Sequence, residues 1–250
     1  MRLSTLLALF GLLGSAQAAT LEELLARMKA RREAVDFRAG GRLVRVQESG
    51  LRQSRQFAMK GRAIGEILHL FCEVTAPPAE RVRLLIESRG SGAMSIRIGR
   101  PGEASAKELP FAQWGQALLD TDFSYEDLLE SHFLWKNQAL AGEEKWGARS
   151  CYLIRSTPGP ADRSHYASVT SWVDRETWFP IHVEKVTRAG GVTKEFLAYG
   201  LRQSKGIWSA GQIEAKTKGR GGSSFLIITR GAGKAEIKPR DFDPTLLVKP

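Results

Sequence analysis

The sequence predicts a mostly β fold in which antiparallel strands form one curved sheet, an open and incomplete β-barrel, with helices covering its concave face. Apolar residues alternate with polar ones from Asp36 to Ile98 and again from Gln138 to the end. Gly or Pro recurs about every ten residues, a spacing typical of barrels and sandwiches. An aromatic insert separates the two β regions, and a helical stripe precedes them. We therefore expect about eleven strands in a single domain, residues 19–250.

The N-terminus has the pattern of an export signal. Arg2 precedes an apolar stretch from Leu6 to Leu13, which is followed by Ala16-Gln17-Ala18. This basic, apolar, small-x-small order is that of a secretory signal peptide, so we expect residues 1–18 to be removed after Ala18. The alternative is a membrane anchor, but the apolar stretch is well short of the roughly 20 residues that cross a bilayer. A soluble periplasmic protein without a lipid anchor is therefore predicted.

The chain is strongly basic. Its formal net charge is +10, and loss of Arg2 with the signal peptide leaves +9. Such a surface could meet anionic lipid head groups, which attract Lys and Arg at about 1 kcal/mol per residue near the membrane. Nucleic acid is not expected as a partner of an exported chain. The alternative is a solvated basic surface that has no partner.

The mature chain is predicted to begin with a helix. Thr20 and Glu23 have the spacing of a capping box, in which each side chain bonds the backbone N–H of the other. Apolar residues then follow at helical spacing: Leu21, Leu24, Leu25 and Met28. Because this apolar stripe needs burial, we expect the helix to cover a sheet.

The region from Asp36 to Ile98 predicts about five antiparallel strands with one apolar face. Its turn signals are Gly40-Gly41, Gly61, Pro77-Pro78 and Gly90-Ser91-Gly92. Side chains of one parity share a face of a strand. We therefore expect six of the alternating apolar residues to line a cavity on the concave face: Phe57, Met59, Leu84, Ile86, Met94 and Ile96.

Residues 111–135 break this rhythm with a helix-compatible stretch rich in aromatic and acidic residues. Its apolar members include Phe123, Tyr125, Leu128 and Trp135. Such an insert can be core, since aromatic side chains dominate buried area, and it can be a lid at the same time. We interpret Glu126 and Asp127 as the acidic first turn of a helix that Ser124 caps.

Cys72 and Cys151 are the only cysteines, and an oxidising compartment permits a disulfide between them. The bridge would stabilise the fold by roughly 4 kcal/mol through loop entropy if its geometry allows. Cys72 also lies in the apolar row from Leu68 to Val74, so a buried free thiol is equally compatible with the sequence.

No catalytic or metal-binding constellation is evident. The four histidines, His69, His132, His165 and His182, stand singly, and neither HExxH nor paired CxxC occurs. The glycine-rich run from Gly219 lacks the GK[ST] ending of a phosphate loop, and GxSxG is absent. We expect no enzyme activity, no metal and no cofactor. The alternative is a hydrolase in which Asp122 and Asp127 form a carboxylate pair.

Several motifs in order resemble the outer membrane lipoprotein-sorting family related to LolA and LolB. They are DFSYEDL at 122–128, DRETWFP at 174–180, KEFLAY at 194–199, Gly206-Ile207-Trp208 and Phe242-Asp243-Pro244. The resemblance implies acyl chains held in an apolar cavity and the insert lying across the cavity mouth as a lid. The stretch 94–110 departs from the family pattern at Arg97, Arg100 and Lys107, so we expect an altered cavity rim.

We therefore expect a monomeric periplasmic carrier or chaperone that binds acyl chains of lipoproteins or free lipids. It would transfer them between membranes or to a partner such as an envelope membrane protein or transporter. The alternative is a periplasmic sensor or adaptor that binds a membrane protein on the same fold, which an exposed apolar patch without a deep cavity would favour.

Overall fold

The computed structural model describes residues 19–33, 36–89, 93–204, 206–233 and 236–250. The predicted signal peptide and the predicted turn at Gly90-Ser91-Gly92 lie outside these residues. Within them the fold is mostly β, and one large curved antiparallel sheet remains unclosed, as the sequence predicted. No helix in the described ranges has the length and apolar character to span a membrane.

The first half of the sheet is a meander of six strands. Their bounds are β1 Asp36–Val46, β2 Arg52–Ile64, β3 Ile67–Ala76, β4 Val82–Arg89, β5 Met94–Gly99 and β6 Lys107–Glu108. The five strands expected before residue 99 are present, and β6 is a two-residue addition that alternation could not reveal.

The second half contributes nine strands. Their bounds are β7 Asn137–Trp146, β8 Arg149–Thr157, β9 Tyr166–Asp174, β10 Pro180–Thr187, β11 Thr193–Tyr199, β12 Arg202–Ser204, β13 Ile207–Ser209, β14 Gln212–Thr217 and β15 Ser223–Gly233. Strands β12 and β13 form a separate hairpin, so the main sheet has 13 strands, more than the eleven expected.

The strand order shows how the two halves join. It runs β6-β5-β4-β3-β2-β1-β15-β14-β11-β10-β9-β8-β7, so β1 and β15 form the seam between the halves. The open edges are β6 and β7, which are consecutive in the sequence. The insert between them therefore carries the chain from one edge of the open barrel to the other.

Two expected turns are not turns. Gly40-Gly41 lies inside β1, where the register with β15 shifts by one residue, and Gly61 lies inside β2. A Cβ at Gly41 would clash with the backbone carbonyl of Ile227 and stand 3.0 Å from the Phe57 ring. Glycine is present here because the backbones approach closely at a bulge.

The predicted first helix is confirmed as α1, Leu21–Glu33. Its capping box is formed, since Thr20 N donates to Glu23 Oε2 at 2.9 Å and Glu23 N donates to Thr20 Oγ1 at 3.2 Å. Leu24 and Met28 are buried against Tyr152, Ile154 and Val173 of β8 and β9. The helix therefore covers the same sheet face as the insert, which we call the inner face.

The insert is not one continuous helix. It contains α2, Phe111–Trp114, and three 3-10 turns, Leu118–Asp120, Tyr125–Leu128 and Ser131–Leu134. Leu119 and Asp120 have φ of 51° and 58°, which end any helix there. Ser124 caps the next turn, as predicted, and its backbone N–H donates to Asp127 Oδ2 at 2.8 Å.

The outer face is covered by two other segments. The C-terminal 3-10 turns Pro239–Phe242 and Pro244–Leu247 bury Phe242 and Leu247 against Phe71 and Leu85. The β12–β13 hairpin packs Trp208 over the cluster that contains Trp172. With this cover on the outside, the inner face is left to the insert, α1 and the space between them.

Gly41→Ala should lower the free energy of unfolding by about 2–3 kcal/mol, because the added methyl meets backbone atoms that cannot rotate away. Urea unfolding would measure it. Gly231→Ala is the matched control in β15, since the atom nearest to its Cβ is Ile228 Cγ2 at 3.8 Å. Equal stability of the two variants would contradict the close approach at the bulge.

Candidate functional site

An apolar cavity of ≈ 270 Å³ lies between the inner face, α1 and the insert. Both halves of the sheet and both covering segments contribute apolar walls. They are Phe37, Met59, Leu68 and Leu70 from the first half, Val183, Phe196, Ile213 and Leu226 from the second, Phe123, Leu128 and Leu129 from the insert, and Met28 from α1. Its size is close to the lower end, roughly 300 Å³, of known ligand pockets.

A second apolar cavity of ≈ 50 Å³ adjoins the first. The two share Met59, Cys72, Phe123, Leu128 and Leu226 as walls. A modest movement of these side chains would merge the two spaces into one longer cleft.

The six residues expected to line the cavity all pack in one buried cluster, but only three of them line a cavity. Met59 lines both cavities, and Phe57 and Leu84 line the small one. The other three, Ile86, Met94 and Ile96, are packed in the cluster without lining either cavity. They lie on β4 and β5 near the open edge, where Leu109 and Trp114 of the adjoining segment join the same core.

The four expected lid residues also divide. Phe123 and Leu128 line the cavity from the insert, whereas Tyr125 and Trp135 pack in the same core without lining it. The walls that we did not anticipate come mainly from the second half. Val183 and Phe196 share the inner face with Lys185 and Lys194, so alternation of apolar and polar residues gave no clear signal for them.

The two cysteines are free. Cys72 lines both cavities on the inner face, whereas Cys151 is buried in the outer-face cluster with Trp172. The disulfide considered from the sequence is therefore not formed. Burial raises the pKa of the Cys72 thiol to about 12, so this thiol is protonated and behaves as an apolar wall.

Asp122 fastens the insert to the seam of the sheet. Asp122 Oδ2 accepts from Arg45 Nη1 at 2.8 Å, and the two side chains are 0% and 4% exposed. The same oxygen accepts from Ser224 Oγ at 2.6 Å. Arg45 lies on β1 and Ser224 on β15, so this ion pair holds the insert where the two halves meet.

Asp127 fastens the insert to β9, β10 and β11. Asp127 has a fully buried side chain whose Oδ1 accepts from Lys185 Nζ and from Tyr166 Oη, each at 2.7 Å. Lys194 Nζ lies 3.3 Å from Oδ2. Burial raises the pKa of Asp127, but the two ammonium groups and the Ser124 backbone N–H outweigh it and hold the pKa well below its usual range.

Glu126 completes the attachment, because its buried carboxylate accepts from Ser164 Oγ and, at 3.0 Å, from His165 N. The acidic turn expected from the sequence therefore also anchors the insert. The same contacts give the hydrolase alternative no support, since Asp122 and Asp127 are bound to different bases on different strands.

A group of basic residues borders the cavity beside α1. Arg31 pairs with Glu130 of the insert, and Arg32 Nη2 donates to the backbone oxygen of Ser88 at 3.0 Å. His132 is buried there, and burial together with the nearby charges of Lys185 and Arg31 holds its pKa well below the usual value. One end of an otherwise apolar cavity is thus cationic.

One cluster of possible metal ligands lies away from the cavity walls. His182 Nε2 stands 3.1 Å from Glu195 Oε1 and 3.9 Å from Glu184 Oε1. The imidazole is stacked between Trp146 and Trp172, with centroid distances of 3.8 Å and 4.2 Å. Burial lowers the pKa of His182 despite the two carboxylates, so the ring is neutral and packs as an aromatic side chain.

Residues 101–249 match the model of a family described as "Uncharacterized protein". No curated protein matches the chain.

Solved structures with the same fold cover nearly the whole chain. A domain described as an outer membrane lipoprotein-sorting protein, from Vibrio parahaemolyticus, aligns with a TM-score of 0.82 at 19% identity over 90% of this chain and 97% of that one. A DUF1329 family protein from Desulfovibrio piger gives 0.82 at 16% identity over 90% and 96%. A LolA superfamily protein from Nitrosomonas europaea gives 0.72 at 16% identity over 92% and 100%. The resemblance read from the motifs is therefore confirmed at the level of the fold.

Asp127→Asn should lower the free energy of unfolding at pH 7 by about 3–5 kcal/mol, because it leaves two buried ammonium groups without their carboxylate. The folded pKa of Asp127 lies below that of the unfolded chain, about 3.9. Its stabilisation is therefore complete above that pH and is lost as the pH falls towards the folded pKa. Urea unfolding between pH 7 and 2 should show a smaller acid-induced loss for the variant than for the unchanged protein.

The matched control is Asp120→Asn, which removes the same charge from a side chain that is 68% exposed and pairs with Arg220. Exposed pairs contribute about 0–1 kcal/mol, so this variant should be close to the unchanged protein. Similar losses in the two variants would contradict the anchoring role of Asp127.

Proposed function

We propose an acyl-chain carrier function for this chain, which belongs to the family whose model matches residues 101–249 and has the fold of lipoprotein-sorting and LolA superfamily proteins. The carrier binds an acyl chain of a lipoprotein or a free lipid and releases it at another membrane or protein. The observation that carries the proposal is the apolar cavity enclosed by the inner face, α1 and the insert.

The energetics of the cavity suit reversible holding. Burial of each methylene group in an apolar site contributes about 0.8 kcal/mol, so a chain of several methylenes binds without specific polar contacts. Because the walls come from both halves of the sheet and from the insert, a bound chain would contact all three. Phe123 and Leu128 would then form a movable wall, the lid of this proposal, which shifts when the ligand enters or leaves.

The location of the apolar side chains favours the carrier hypothesis over the adaptor hypothesis. In the described ranges, the large apolar side chains that are exposed are scattered over several elements: Leu51, Leu140, Trp146, Val192 and Tyr199. Single exposed apolar residues are ordinary on protein surfaces. A cavity is therefore the more specific apolar feature of this fold, whereas an adaptor would rely on a contiguous exposed patch.

The proposed place of action is the periplasm. The pattern from Arg2 to Ala18 supports export and cleavage, and the oxidising compartment is compatible with free thiols that are buried. N-terminal sequencing of the protein recovered from the soluble envelope fraction should begin at Ala19. Retention of Met1 would contradict the export signal.

Leu226→Trp should weaken the binding of a fluorescent fatty acid by about tenfold or more, because the indole would occupy space that both cavities share. Binding would be measured by titration of the delipidated protein with cis-parinaric acid. Ile227→Trp is the matched control on the opposite face of β15 and should bind normally. Native mass spectrometry of the protein purified from its own envelope would identify a co-purifying lipid.

The same titration can be followed by amide hydrogen exchange. If the insert is a lid, ligand should protect the amides of residues 118–134 more than those of β3 and β4. Absence of binding in the unchanged protein would overturn the carrier function. Binding without added protection of the insert amides would support the carrier function but contradict the lid, and the insert would then be a fixed part of the core.

A further inference from the structure

We propose that the ligand of this cavity has an anionic head, a carboxylate or a phosphate, which binds beside α1 at Arg31 and Arg32. The inference rests on the proposed carrier function and specifies its ligand class. The observations behind it differ from those behind the carrier function, since they are the charges and the unpaired hydrogen-bond donors at one end of the cavity.

The charged residues that line the cavity are unequal in number. Four are cations, Lys29, Arg31, Arg32 and Lys185, and two are carboxylates, Asp127 and Glu130. Both carboxylates already have partners, since Arg31 pairs with Glu130, and Lys185 and Lys194 share Asp127. Lys29 is 63% exposed and pairs with Glu33, so the cation of this group that has no ion pair among the described residues is Arg32. Buried charges are normally paired, so this surplus favours an anionic ligand.

Two guanidinium groups at this end have hydrogen-bond donors without partners. The Nε atoms of Arg31 and Arg32 are buried, and neither has an acceptor among the described residues. A buried donor left unpaired costs about 1–3 kcal/mol. An oxygen of a bound carboxylate or phosphate would supply the acceptor and the compensating charge together.

The chemistry of arginine suits this role. Its planar guanidinium presents several N–H donors that match a carboxylate or phosphate, and such charge-assisted hydrogen bonds are stronger than neutral ones. Basic residues in the last turn of a helix also complement the helix dipole, but that role requires neither burial nor a cavity. Burial lowers the pKa of Arg31 to about 10, which still leaves the guanidinium charged at neutral pH.

The basic residues of α1 and the sheet act on the same space. His132 lines the same cavity, and burial together with the charges of Lys185 and Arg31 holds its pKa well below the usual value. With His132 neutral, the ring adds no charge of its own. An amphiphile would therefore place its chain against Leu70, Val183 and Phe196 and its head towards Arg31 and Arg32.

The test compares two probes that share one acyl chain and differ in the charge of the head group, cis-parinaric acid and its methyl ester. The unchanged protein should bind the acid more tightly than the ester. The double variant Arg31→Gln, Arg32→Gln should bind the acid about tenfold more weakly while its affinity for the ester stays the same. Arg155→Gln is the control, since it removes one positive charge from an exposed position on β8 and should leave both affinities unchanged.

A competition arm distinguishes an amphiphile from a free anion. Hexadecyl phosphate should displace bound cis-parinaric acid, whereas inorganic phosphate at the same concentration should not. Displacement by inorganic phosphate alone would overturn the proposal, because the basic site would then be a free-anion site.

Equal binding of acid and ester by the unchanged protein would overturn the anionic head and leave the carrier function intact. Failure to bind either probe would instead overturn the carrier function. Circular dichroism would check the fold of the double variant. If it does not fold, Arg32→Gln alone retains the Arg31–Glu130 pair, and its ratio of acid to ester affinity decides the question.

Discussion

The burial of two carboxylates, Asp122 and Asp127, is the constraint on which the rest of the structure depends. Each would be costly in an apolar core without a cation, and each obtains its cations from strands distant in sequence. Asp122 holds the insert to the seam of the sheet, and Asp127 holds it to the second half. The two ion pairs therefore fix the distance between the insert and the inner face, so that the space between them remains a cavity and is not filled by side chains.

Periodicity predicted the elements whose signal is local. The alternation before residue 99 gave five strands, and the spacing of Thr20 and Glu23 gave the capped first helix. The turn predicted at Gly40-Gly41 was wrong, because Gly41 is required by a close backbone approach inside a strand. The helical character expected for the insert was also local, and left-handed residues at Leu119 and Asp120 interrupt it.

The cavity was less predictable, since parity assigns a residue to a face but not to a position across that face. Met59 and Ile96 have the same inward orientation, yet only Met59 lies far enough from the open edge to meet the cavity. The roles of Lys185 and Lys194 could not be predicted from the sequence for another reason. They are polar residues at inward positions, and their partner Asp127 is 58 and 67 residues away in the sequence.

The seam between β1 and β15 has a consequence for how the chain folds. Phe37 pairs with Gly233, so the pairing at the centre of the sheet joins segments from opposite ends of the described chain. Contacts of such long range form slowly, because the entropy cost of closing a large loop must be met before the contacts stabilise the fold. Local pairings within each half can form early, but the two halves join only after β15, the last strand, is available. Until β15 is synthesised, the inner face of each half therefore lacks its central neighbour, and the cavity does not yet exist.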